Sequence, residues 1–169
     1  MELLLVSALC LATSGTRAYA ANGDEYEGLW LTSDKKYVIS VSRCGGTLCG
    51  NIYWADPAIP PLDVKSHDPE QRQNPLCGMN VLHGFKQIDD RHWAGGTIYR
   101  TETGDTYHAT IEILPSGNVL LRGYILAPLF GQSDVLTPVS GRDYPQCNAP
   151  GFNVKQPRHH RRIDQSAKK

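Results

Sequence analysis

The sequence predicts an all-β protein, with about eight short antiparallel strands joined as a meander and closed on themselves as a barrel. Three observations carry that expectation. Apolar residues recur with period two, most cleanly at 106–114, where Tyr107, Ala109, Ile111 and Ile113 alternate with Thr106, His108, Thr110 and Glu112. Turn-forming residues punctuate such runs, at Gly45-Gly46, Asp89-Asp90, Thr103-Gly104-Asp105 and Pro115-Ser116-Gly117-Asn118. No stretch sustains a helical period, and none repeats. A sheet of about eight strands can curl until its edges pair, leaving room for side chains or one small ligand. An open two-sheet sandwich is the competing architecture.

Taken in order, the strands are expected at 25–31, 36–43, 48–54, 80–88, 92–100, 106–114, 119–126 and 132–137. In the first, Tyr26, Gly28 and Trp30 share a face. In the second, Tyr37, Ile39 and Val41 alternate with Val38, Ser40 and Ser42. Gly95-Gly96 inside the fifth predicts a bulge or a close backbone approach. Between the third and fourth strands the pattern stops. Pro57, Pro60, Pro61, Pro69 and Pro75 exclude a strand or long helix there and leave one helical turn, from Asp68 through Arg72. A connection this long is often a functional lid, and Asp63, Asp68 and Arg72 are its candidates for a salt-bridged set.

The cysteines supply the framework. The chain of 169 residues opens with an apolar run at 3–12, then small and polar residues ending in Ala18-Tyr19-Ala20. That order fits a signal peptide over 1–20, although Glu2 stands where a basic residue is usual. The run is too short to span a bilayer, so no transmembrane segment is expected in the mature chain. Cleavage removes Cys10 and leaves Cys44, Cys49, Cys77 and Cys147, an even number that favours two disulfides in an oxidising compartment. Cys44 and Cys49 flank a short glycine turn. If 45–48 is the loop they oppose each other directly; if only Gly45-Gly46 turns, they sit diagonally and the bond needs a bulge. Cys77–Cys147 follows as the second pair and would pin the C-terminal segment to the middle of the chain. The barrel domain is thus expected over 21–147.

Formal charge balances at +0, which removes any global field directed at nucleic acid. The exception is a basic tail over 148–169. There Lys155, Arg158, Arg161, Arg162, Lys168 and Lys169 accompany His159-His160 against Asp164, as a solvated terminus or a weak contact with an anionic surface.

A set of residues resembles a known family of small secreted bacterial proteins, domain-of-unknown-function family 2147. The set comprises Gly28-Leu29-Trp30, Cys44-Gly45-Gly46 with Leu48-Cys49-Gly50-x-Ile52-x-Trp54, and Leu62-Asp63 with Asp68-Pro69, Arg72 and Pro75-Leu76-x-Gly78. It continues through Trp93-x-Gly95-Gly96-x-Ile98-Tyr99, Gly104-x-Thr106-Tyr107, and Arg122-Gly123-Tyr124 leading to Gly131. Arg100-Thr101 and Leu136 depart from its pattern, in place of an acid-proline pair and an aromatic. The resemblance implies a lipocalin-like β-barrel and no established reaction, and the leader makes a secreted, periplasmic location the expectation.

A hollow barrel makes small-molecule binding the leading function, with an apolar or amphipathic guest. Alternation nominates Trp30, Tyr37, Ile39, Tyr107, Ile111 and one of the two faces around Arg122 for the lining, with Tyr99 as a hydrogen-bonding candidate. Arg122 interrupts an otherwise apolar strand. Pointing inward it would need a partner or an anionic head group, such as that of a fatty acid; pointing outward it would carry Leu120, Tyr124 and Leu126 with it. Arg122 and Tyr124 are therefore ligand candidates under the first orientation. The alternatives are a cell-envelope interaction module working through the long loop and tail, and a hydrolase or isomerase. His67, His83, His92 and His108 lack ligand spacing, and Ser42 and Ser133 lack a nucleophile context, so no catalytic residue, cofactor or metal site is expected.

Overall fold

The alternating runs become eight strands: β1 (Gly28–Leu31), β2 (Tyr37–Cys44), β3 (Thr47–Ala55), β4 (Asn80–Gln87), β5 (His92–Arg100), β6 (Asp105–Ile113), β7 (Val119–Tyr124) and β8 (Gln132–Pro138). The computed structural model describes residues 26–148. The signal peptide expected over 1–20, its expected cleavage site, and all but the first residue of the basic tail expected over 148–169 lie outside the described residues. Each strand pairs antiparallel with its sequence neighbour, and β1 pairs with β8 through Trp30↔Pro138 and Leu31↔Thr137. The sheet is therefore a closed barrel, and the sandwich alternative falls.

Closure follows from strand bending where glycine permits it. A Cβ on Gly96 would stand 2.4 Å from the ring of Phe85, a fully buried side chain, so only glycine lets β5 cross this point. The β5–β6 register shifts between Trp93 and Gly96, as a glycine pair within a strand predicts.

At the β2–β3 hairpin the turn is Gly45-Gly46, both at positive φ, with Cys44 opposite Thr47 and Ser42 opposite Cys49. The bonded cysteines are thus diagonal neighbours on one face, with Cα atoms 6.0 Å apart. The expected bulge is not needed. Diagonal residues of a twisted ribbon already lie within disulfide reach, and the β2–β3 register shift falls instead between Val38 and Ile39.

The barrel has a packed end and a hollow end. At the packed end Tyr26 seals the floor, its ring edge-on to Trp93 with centroids 4.5 Å apart and the Arg43 guanidinium 5.3 Å from its centre. Trp30 donates its indole N–H to the Tyr26 carbonyl at 2.9 Å, and Leu48, Phe85, Ile111, Ile113, Val119 and Leu136 fill the space above.

Outside the barrel, the segment after β8 straps across β1–β3. Val139 and Tyr144 pack on an outward-facing apolar cluster of Leu31, Val38 and Tyr53, and Tyr144 meets Trp54 edge-on at 5.0 Å. Cys147 donates its N–H to the Tyr53 carbonyl and is bonded to Cys77, with Cα atoms 5.8 Å apart. This bond does pin the C-terminal segment to the middle of the chain.

The connection at 56–79 holds one short 3-10 turn, Gln71–Gln73, slightly later than the turn expected from Asp68. A bridge between Leu62 and Pro75 closes its base, and buried Leu76 plugs it into the core.

Candidate functional site

The hollow end contains a cavity of about 540 Å³. Its walls follow from strand phase. Inward positions of β2 and β3 supply Ile39 and Ile52, paired across the ladder; β5 supplies Ile98 and β7 Leu121 and Gly123, while Val81 reaches the cavity from the β3–β4 register shift between Asn80 and Leu82. Four tyrosines line this apolar pocket: Tyr37, Tyr99 and Tyr107, with Tyr124 at the rim. The rim is built by the β1–β2 turn (Thr32, Ser33, Asp34), the β5–β6 turn (Arg100, Thr101, Glu102) and the β7–β8 connection with the start of β8 (Ile125, Phe130, Gln132, Ser133, Asp134).

Each phenol is held differently. Tyr37 and Thr101 share a hydrogen bond of 2.9 Å, and burial pushes the Tyr37 phenol above its ordinary range. Tyr99 donates to Asp63 Oδ2 at 2.6 Å; burial first, then that carboxylate, push its phenol up to about 12. Tyr107 donates to Asp105 Oδ2 at 3.3 Å.

The rim is acidic. Burial would raise the Asp34 carboxyl, but the Thr32 hydroxyl and the backbone N–H and ammonium of Lys36 outweigh it and hold it below the usual carboxylate range. Asp134 Oδ1 accepts the Ser33 N–H and links the β1–β2 turn to β8. Asp34, Glu102 and Asp134 thus face the opening against Arg100.

The sequence-derived candidates divide between the two ends and the outside. Tyr37, Tyr99, Tyr107 and Tyr124 line the cavity, as does Ile39; Trp30 and Ile111 lie in the packed end, away from it. Arg122 points outward. Its guanidinium donates to the carbonyls of Pro128 and Leu129 and to the Ser133 hydroxyl, so it braces the β7–β8 connection and does not face a guest. The reason is phase: Leu121 and Gly123 take the inward positions, which puts Arg122 and Thr110 opposite each other on the outer face. Tyr124 is also outward in phase, its ring 5.9 Å from that of His108, and reaches the rim only because the strand ends there.

The lid candidates do not form a salt-bridged set. Asp63 is 3 % exposed and spends Oδ2 on Tyr99, Asp68 Oδ1 accepts the Glu70 N–H, and Arg72 donates to the Ser66 carbonyl at 2.8 Å. The three are each engaged locally, which folds the loop on itself and docks it to the wall. Gly104 makes that docking possible. A Cβ there would lie 2.2 Å from the Lys65 carbonyl oxygen. His67 Nε2 and Asp105 Oδ1, 3.0 Å apart, add a further tie.

Sequence reasoning missed Ile52, Val81, Ile98 and the three rim turns, whereas Leu121 and Gly123 form one of the two faces it left open around Arg122. Ile52 was open to it, since it follows from the inward phase of β2 once the ladder is drawn. The rim turns carried no signal. Among the described residues there is no group of three or more potential metal ligands, and no helix is long and apolar enough to cross a membrane.

Comparison with solved structures finds protein HP1028 from the human pathogen Helicobacter pylori, described as belonging to the lipocalin family. The match has a TM-score of 0.66 at 16 % identity and covers 76 % of this chain and 92 % of that one. At that identity the likeness concerns the fold, a lipocalin-like barrel. No curated protein matches the sequence. The family model described as "uncharacterized protein conserved in bacteria" (DUF2147) matches residues 28–137, which takes in all but the last residue of the barrel strands, and the chain belongs to that family.

Proposed function

We propose that this protein is a secreted, periplasmic carrier that holds one small apolar or amphipathic molecule in the hollow end of its barrel. The observation that carries the reading is the cavity of about 540 Å³, open at one end and walled by Ile39, Ile52, Val81, Ile98 and Leu121. That volume lies within the range of roughly 300–1,000 Å³ usual for small-molecule sites. An apolar body would rest on the aliphatic wall, and a polar end would sit near the Tyr37–Thr101 pair at the rim. With Arg122 turned outward and Asp34, Glu102 and Asp134 at the opening, an uncharged or cationic polar end suits the site better than the anionic one that an inward arginine would have served. Export is supported by the signal-peptide pattern expected over 1–20 and by two disulfides, which persist in oxidising compartments.

The test is a fluorescence titration of the oxidised protein with N-phenyl-1-naphthylamine, an uncharged apolar probe. Saturable one-to-one binding, with competition by neutral amphiphiles, supports the carrier reading. Absence of saturable binding by the probe and by a panel of neutral and charged amphiphiles overturns it.

A further inference from the structure

Beside the cavity mouth the chain does something a freely soluble barrel has no use for. The β7–β8 connection, residues 125–130, exposes a continuous apolar string: Ile125 is 70 % exposed, Leu126 87 %, Leu129 81 % and Phe130 77 %. Ala127 and Pro128 complete it, so the connection carries no charge of its own. A contiguous apolar surface of this kind marks an interaction site.

The string is also held in place. Pro128 opens a short 3-10 turn over Pro128–Phe130, and the Arg122 guanidinium clamps the Pro128 and Leu129 carbonyls from the barrel wall. Gly131 lets the chain return close beneath, since a Cβ there would stand 2.5 Å from the Gly123 carbonyl oxygen. Satisfying those carbonyls with an arginine removes the polar backbone groups that would resist entry into an apolar medium. At the base, the Tyr124 and His108 rings lie together, amphipathic aromatics at the level where a water–lipid boundary would fall.

From these observations we infer that residues 125–130 form a bilayer-docking tip, which inserts Leu126, Leu129 and Phe130 into the interfacial region of an uncharged or zwitterionic lipid surface and brings the cavity mouth against it. Two features select this occupant. A second copy of the chain would need about 20–30 residues a side for a stable interface, and this protrusion is far smaller. The rim mixes signs, with Asp34 paired to Lys36, Glu102 and Asp134 beside Arg100, and Arg122 at the base of the tip, so no cationic patch selects an anionic surface; attachment is driven by apolar burial and is insensitive to salt. Ile125 and Phe130 belong both to the string and to the cavity rim, so a guest could pass between lipid and pocket along apolar surface. The surface contact stands whether or not the cavity is filled.

The experiment is vesicle flotation of the intact oxidised protein with phosphatidylcholine vesicles, at low and high salt. It compares the unsubstituted chain with the pairs Leu126→Asp/Leu129→Asp and Leu126→Ser/Leu129→Ser. Both leucines are solvent-exposed and outside the cavity lining, so folding and N-phenyl-1-naphthylamine binding should stay within twofold. We expect salt-independent flotation that falls at least tenfold in the aspartate pair and severalfold in the serine pair. Failure of the unsubstituted chain to float overturns the inference, as does equal flotation of the aspartate pair, which would place attachment in the apolar N-terminal run or the basic tail. Flotation only with anionic lipid, lost in salt, also overturns it, as does concentration-dependent self-association abolished by the substitutions without vesicle binding. Loss of probe binding with flotation intact would sink the carrier reading and leave this one standing.

Discussion

Replacing Gly123 by tryptophan would fill the cavity from its own wall. Gly123 takes an inward position of β7, and a Cβ built there meets Ile98 Cγ2 at 3.5 Å and the Tyr107 Cβ at 3.7 Å, ordinary contact distances. Its φ is not among the positive values, so an L side chain is compatible with the backbone. The indole and its methylene, about ten heavy atoms, would then occupy space that a guest uses. At about 0.3 kcal/mol per heavy atom for a drug-sized ligand, excluding about ten atoms of contact removes roughly 3 kcal/mol, or about a hundredfold in affinity. The assay is the N-phenyl-1-naphthylamine titration, with thermal unfolding to show that the variant folds. A folded variant that binds the probe within threefold of the parent would refute the reasoning, because the guest would then lie elsewhere.

Three further outcomes follow from the same geometry. Reducing Cys77–Cys147, 70 residues apart, should lower stability by about 4 kcal/mol in the chain-entropy view, against about 2 kcal/mol for Cys44–Cys49 at separation 5; denaturant midpoints of the two Cys→Ala pairs should rank in that order, and the reverse order would count against the strap as a fastening. Tyr99→Phe should cost about 1–3 kcal/mol at neutral pH, because Asp63 is buried, its Oδ1 has no partner and Oδ2 would lose its donor. The folded Tyr99 value of about 12 lies above the unfolded value of about 10, so its contribution is whole below pH ~10 and is lost as pH rises towards ~12; the Phe variant should lose less stability over that window, and identical pH profiles would contradict the assignment. Arg122→Gln should leave the affinities for neutral and anionic amphiphiles within twofold, since the guanidinium faces the β7–β8 connection; a selective loss of fatty-acid binding would show that it reads the guest.

Much of the architecture was legible because period-two patterning and turn chemistry are local. Residues 106–114 announce their inward face without reference to any other strand, and the glycine pair at 95–96 announces its bend. Closure was harder to read. It depends on Trp30 and Leu31 meeting Pro138 and Thr137 across the whole length of the chain, a relation that no local window contains. The site divides along the same line. Tyr37, Ile39 and Tyr107 follow from phase and do line the cavity, but phase cannot say at which height a barrel is filled, and Trp30 and Ile111 fell in the packed end. Tyr26 decides that height by plugging the floor, and its role needs Trp93 brought to it from β5, across the barrel, as well as Arg43 from the adjacent β2. Arg122 was ambiguous for a related reason. Both faces of β7 are largely apolar, so the orientation rests on Gly131 and the Pro128–Leu129 carbonyls, partners supplied by the connection that follows. In the long loop, charge composition suggested ion pairs, whereas Asp63 is taken by a phenol and Arg72 by a carbonyl.

The most direct measurement is an isoleucine-methyl NMR titration of the oxidised protein with N-phenyl-1-naphthylamine. The methyls of Ile39, Ile52 and Ile98, which face the cavity, should shift in a saturable manner, while those of Ile111 and Ile113 in the packed end and Ile88 on the surface stay in place. Shifts confined to Ile88, or a spectrum that does not change at saturating probe, would contradict the claim that this barrel is hollow for a guest.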